Sequence, residues 1–189
     1  MWDIEAVKIE LQERMSAGLY THSQMVAQTA KELAEHYQID QEKAYFTGLV
    51  HDFAKEIDDD SLVKIANEQE LVSSVLEKNS PGLLHAPVGA FLVQQTYNIM
   101  DPEIIQAISC HTLAGLDMTM LSKVIYIADK IEPGRDFPDK NRLIQMAYKS
   151  IEEAILYSLE STIINCIVNK QQLHPRTSLV RNYLLDSIK

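Results

Sequence analysis

His51 and Asp52 stand side by side at the end of the apolar run AYFTGLV, and four more metal-ligating side chains are spread along the chain. His22 lies upstream; His85, His111 and Asp129 follow at well-separated positions. Imidazole nitrogens with carboxylate oxygens suit zinc, iron, manganese or cobalt. An ion held this way suits hydrolysis of a phosphate ester or anhydride, because it acidifies water and draws charge from the phosphoryl group. A lone His-Asp pair carries little weight, since a histidine at a helix C-terminus can be a cation stabilised by the helix dipole. Asp129 adds weight. It follows VIYIA on an apolar helix face, where an unpaired carboxylate would be costly. Lys130 or Lys123 could serve as a structural partner, but a metal ion explains the histidines as well. His22, His85 and His111 would each pass singly for surface or capping residues, whereas one shared site accounts for all of them. His36, at a polar helix end, is expected in solvent. His174 opens the turn HPRT before the last helix and is a weaker candidate for touching a ligand.

The elements that must carry these residues read as helices. Ile4, Val7, Leu11 and Met15 mark a first amphipathic helix, and Met25, Val26, Thr29, Ala30, Leu33, Ala34 and Tyr37 a second. A third runs from Asp40, a plausible N-cap, to His51. Two shorter helices fill 61–78, before the breaker NSPG at 79–82. Another covers His85 to Tyr97. The segment DPEIIQAISCH opens with Asp101 as N-cap and Pro102 at the first helical position, with Glu103 near the positive helix end. An apolar helix from Met118 to Ile131 ends at Pro133-Gly134. One long helix is expected over roughly 141–170 and a final one over 177–187. VIYIA is β-branched but lies inside a longer helical pattern. No repeat, low-complexity tract or linker interrupts the chain, so the fold class is all-α in one domain.

The totals agree. A chain of 189 residues, 46% hydrophobic and 23% charged, can bury a substantial core. Six glycines and six prolines favour long regular elements. No apolar stretch is long enough to span a bilayer, and the amino terminus mixes both charge signs too early for a secretory signal. Cys110 and Cys166 are too sparse for a disulfide scaffold and suggest the reducing cytoplasm. The net charge of −10 argues against a nucleic-acid partner. It also means that a polyanionic substrate must meet locally concentrated positive charge, from ions and a few Lys and Arg.

The order His22, His51-Asp52, Asp129 on helices resembles the HD-domain phosphohydrolases. Within them the chain is similar to the YqeK family, the symmetrical bis(5′-nucleosyl)-tetraphosphatases of HD type. The matching stretches are YTHSQMVAQTAKELAEHY, TGLVHDFAKE, LHAPVGAFLV, ISCHT, ADKIEPGRDFP and RNYLL. The resemblance implies a single HD-domain helical bundle over 1–189, with a metal-binding core at roughly 18–135 and C-terminal helices at 141–187. It implies an iron-bearing site in which His22, His51, Asp52 and Asp129 hold one ion, with manganese, cobalt or zinc as alternatives. His85 and His111 would bind a second ion bridged by Asp52, or contact substrate phosphates directly. Asp52, His85 and His111 are the expected catalytic residues. Lys55, Thr112, Lys130, Arg135 and His174 join the two histidines as substrate contacts, Arg135 suited to a bidentate grip and Lys55 to a point charge.

The implied reaction is cleavage of diadenosine tetraphosphate to two ADP. Other HD-domain activities on mononucleotides or a signalling nucleotide, and a nonenzymatic nucleotide sensor, are the alternatives. A homodimer is compatible with the sequence. Two departures bear on substrate choice: relatives often read His-Thr-Thr-Gly where this chain has His111-Thr112-Leu113-Ala114. They also tend to carry Arg three residues before the first His, where this chain has Leu19.

Overall fold

The computed structural model describes residues 2–188. Among them are eleven α-helices, one short 3-10 helix and no strand. In chain order the helices are α1 (Ile4–Arg14), α2 (Ala17–His36), α3 (Gln41–Val50), α4 (Asp59–Glu68), α5 (Val75–Asn79), α6 (His85–Tyr97), α7 (Pro102–Cys110), α8 (Met120–Ile131), α9 (Lys140–Lys149), α10 (Ile151–Val168) and α11 (Pro175–Ser187). The 3-10 turn η1 (Pro81–Leu84) leads directly into α6.

Side-chain caps punctuate the chain. Asp3, Ser16, Asp40, Asp58, Asp101 and Thr119 each accept a backbone N–H from the first turn of the helix that follows. Asn98, in the left-handed conformation, closes α6. The segment expected as one helix over 141–170 is two. Ser150 breaks it with extended backbone, and its hydroxyl accepts the N–H of Glu153 to start α10 afresh. The signal was present as Ser150-Ile151-Glu152-Glu153, a serine with a glutamate three residues on, which favours an N-cap over helix continuation. Ala147 and Ile151 are both buried on either side of the break, so an apolar pattern spans it and masks it.

The core is assembled chiefly by α2, α3, α7 and α8, with α10 laid across α8 and flanked by α9 and α11. Leu33, Phe46, Leu49, Ile108, Ile125 and Tyr126 are fully or almost fully buried in it. A smaller cluster of Ala54, Leu62, Ala66, Leu84 and Val88 ties α4 and η1 to α6. Helices α2 and α3 are packed backbone to backbone at Gly48, where an added Cβ would lie 2.6 Å from the Ala27 Cα and 2.9 Å from its N. Both obstacles are backbone, so neither can rotate away. Gly48→Ala should therefore cost about 1–3 kcal/mol or more by forcing the helices apart. Thermal unfolding checks this, and an unchanged melting temperature would mean that α2 and α3 slide without resistance.

Candidate metal centre

Five helix ends or faces deliver the six side chains singled out above. His22 projects from the second turn of α2, and Asp129 from the buried face of α8. His51 caps α3, with Asp52 in the turn behind it. His85 opens α6 and His111 caps α7. All are buried except His22, which keeps a narrow exposed edge.

The rings are oriented by hydrogen bonds on their outer nitrogens. Nδ1 of His51 donates to the Gly48 carbonyl at 2.7 Å and that of His111 to the Ile108 carbonyl at 2.7 Å, while Nδ1 of His85 donates to the Gly82 carbonyl. Nδ1 of His22 donates to Glu132 Oε1 at 3.2 Å. Each neutral ring has one N–H, so these bonds leave every Nε2 as a bare lone pair turned inward. The Nε2 atoms of His22 and His51 are buried without a hydrogen-bond partner. Those of His85 and His111 face each other at 3.0 Å, and both face Asp52 Oδ1, at 3.1 and 3.2 Å. Three lone-pair atoms that converge so closely need a proton or a cation among them.

Asp52 divides the centre. Its Oδ1 faces His85 and His111, whereas its Oδ2 lies 3.5 Å from His51 Nε2 and 3.8 Å from His22 Nε2. Asp129 Oδ1 completes that second half, 3.2 Å from His22 and 3.8 Å from His51. Donors about 2.1 Å from a common ion sit roughly 3.0–3.4 Å apart in octahedral or tetrahedral arrangement, which the Asp52–His85–His111 triangle matches and the other half approaches. His22, His51 and Asp129 could hold one ion, and His51, Asp52 and His111 also cluster closely enough to share one.

Electrostatics prepare the same groups for metal. Burial pushes the His51 imidazole down to about 4, so it is neutral near pH 7 and does not act as a helix-dipole cation. Burial also lowers His85. For Asp52 burial acts upward, but His51, His111 and His85 outweigh it and hold the carboxyl well below its usual range. Asp129 is likewise held down against burial, by Lys130 and the histidines. His22 is raised: burial opposes its charge, yet Asp129, Glu132 and Asp52 prevail.

The family model of the HD domain matches the chain over residues 19–134. That span holds all six side chains of the centre. The chain belongs to the HD-domain family. A symmetrical bis(5′-nucleosyl)-tetraphosphatase of Bacillus subtilis (strain 168) is 35% identical over 175 residues, which are 93% of this chain and 94% of the relative. One from Halalkalibacterium halodurans is 36% identical, covering 88% of each chain. A crystal structure of a predicted HD superfamily hydrolase involved in NAD metabolism, from Clostridium acetobutylicum, superposes with a TM-score of 0.94 at 34% identity and 99% coverage of both chains.

Around this HD-domain centre the other sequence candidates are distributed unevenly. Lys55 is exposed, with Nζ 3.4 Å from His85 Nε2. Lys130 Nζ lies 2.7 Å from Asp129 Oδ2, and Arg135 Nη2 contacts both Asp129 oxygens at 3.1 and 3.3 Å. The other lysine considered for Asp129, Lys123, pairs with Glu152 instead. Thr112 is half-exposed in the turn after His111. His174 is engaged elsewhere, as N-cap of α11 accepting the Arg176 N–H and facing Glu77 at 3.5 Å. His36 is exposed. One residue of the centre escaped sequence reasoning: Glu132, only 2% exposed and bonded to His22. Its place three residues after Asp129, at the α8 terminus, was the available signal. No helix among the described residues is long and apolar enough to cross a membrane.

Proposed function

We propose that this protein is a metal-dependent phosphoanhydride hydrolase that cleaves diadenosine tetraphosphate symmetrically to two ADP. The observation that carries the metal-dependent part is the convergence of four bare Nε2 atoms on two buried carboxylates, two of those nitrogens having no partner. The substrate class is supported by relatives in Bacillus subtilis and Halalkalibacterium halodurans that align over nearly their full length.

In this reading His22, His51, Asp52 and Asp129 would hold one ion, and His85 and His111 a second, with Asp52 shared. Iron is the metal we propose, ahead of manganese, cobalt and zinc. Ions held there would supply Lewis acidity toward the phosphoryl oxygens and would acidify water. Neutral His51 and ionised Asp52 and Asp129 already hold the protonation states that ligation needs. Lys55, at the His85 end, and Arg135, at the Asp129 end, bracket the centre with positive charge and would hold a polyphosphate in line. Arg135 spends one guanidinium nitrogen on Asp129 and keeps the remainder of its fork for a phosphate. Together with Lys130 they give an acidic chain the local positive charge that a polyanion requires.

Chromatography of the products tests the proposal. Diadenosine tetraphosphate should yield ADP alone with protein loaded anaerobically with ferrous iron, and turnover should disappear on chelation. Equal AMP and ATP would overturn symmetric cleavage. Tight nucleotide binding without turnover in metal-replete protein would favour a sensor. Reloading with manganese, cobalt or zinc ranks the metals.

A further inference from the structure

His22 differs from the other three histidines in where it stands. His51, His85 and His111 lie at helix boundaries, where the carbonyl three residues earlier in the helix or 3-10 turn accepts the ring N–H. His22 lies inside α2, whose interior carbonyls are already taken by the helix itself. Its Nδ1–H therefore needs an acceptor from elsewhere, and Glu132 supplies it from the C-terminus of α8.

Glu132 has no other evident reason to be buried. Among the described residues its carboxylate has one ion-pair partner, His22, and the nearby lysine, Lys140, contacts only its backbone carbonyl. Its second oxygen accepts the backbone N–H of Gly134. A Cβ on Gly134 would lie 3.2 Å from that oxygen and 2.8 Å from Met25 Cε, so the tip of the carboxylate and the Met25 methyl pack closely over this turn. The segment Glu132-Pro133-Gly134 is thus folded to aim one carboxylate oxygen at His22 while the turn holds the other.

We infer that Glu132 is a positioning residue that fixes the His22 ring with Nε2 toward the centre, contacting neither ion nor substrate itself. This rests on the reading of His22 as a metal ligand. A ligating histidine held by an outer carboxylate typically loses 10- to 100-fold in metal affinity when that carboxylate is removed. The residue type is specific as well: glutamate offers two acceptor oxygens for two N–H groups, whereas glutamine offers one.

Zinc affinity by chelator competition, and solvent exchange of the His22 Nδ1–H proton by NMR in the zinc form, provide the test. Glu132→Ala should weaken zinc binding roughly 10- to 100-fold, and the isosteric Glu132→Gln about tenfold. In both variants the ring proton should exchange at least about tenfold faster, with helical circular dichroism retained. If Glu132→Ala does not fold, Glu132→Gln alone decides. Unchanged affinity in Glu132→Gln, or weaker affinity with unchanged ring-proton exchange, overturns the positioning role. A wild-type protein that binds no zinc would overturn the metal-site reading instead.

Discussion

Replacing Asp52 by asparagine is expected to abolish turnover and empty both halves of the centre while leaving the helices folded. The reason is its position. One oxygen of Asp52 faces His85 and His111, and the other faces His51 and His22, so a single substitution removes a ligand atom from each half. The amide that replaces it keeps the shape and offers N–H groups to bare imidazole nitrogens, so packing should survive. We expect kcat/KM to fall by at least about 1,000-fold, equivalent to roughly 4 kcal/mol of lost transition-state stabilisation. Metal analysis should find well under one ion per chain, below the content of the parent prepared in parallel. Parental metal content in the Asp52→Asn variant would refute the shared-ligand assignment.

Asp129→Asn should behave differently, losing stability as well as metal. Asp129 is counter-ion to Lys130, whose side chain is 14% exposed, and to Arg135, which at 42% can turn to water. Removing one partner of a buried pair leaves the other charge uncompensated, usually at 3–5 kcal/mol. Lys130 keeps a solvent edge and lies over the Tyr126 ring, so a loss of about 3 kcal/mol is the expectation. That corresponds to roughly 6–12 °C in melting temperature for a chain of this size. The measurement belongs in chelator, where loss of bound metal cannot contribute. Adding Lys130→Met should restore most of the stability and none of the metal binding. An Asp129→Asn protein that melts with the parent in chelator would show that the carboxylate has no structural role.

Much of the helical plan was legible because caps and apolar spacing coincide. Asp40, Asp101 and Thr119 announce α3, α7 and α8 in residue types that bond to the backbone. Ser150 was not read as a boundary because Leu143, Ala147, Ile151, Ala154 and Ile155 keep one apolar face running across it. The six metal-binding candidates were visible because a buried carboxylate and several histidines need a common cause. Their division into two halves came with the family resemblance and not from spacing, since which oxygen of Asp52 each ring faces is a matter of rotamer rather than of sequence order. Glu132 stayed hidden for a related reason. An acidic residue at a helix end is ordinarily in solvent, whereas this one is turned inward between His22 and the Gly134 N–H.

The anchoring of the four rings sets how freely their surroundings can vary over evolutionary time. His51, His85 and His111 hang on main-chain carbonyls, which every amino acid possesses, so neighbouring side chains can drift without loosening those rings. His22 depends on one particular carboxylate, Glu132, whose other oxygen accepts the main-chain N–H of Gly134. Mutational fragility in this centre is therefore concentrated on one ring, and the turn after α8 is the place where otherwise tolerable sequence change would be felt by the metal.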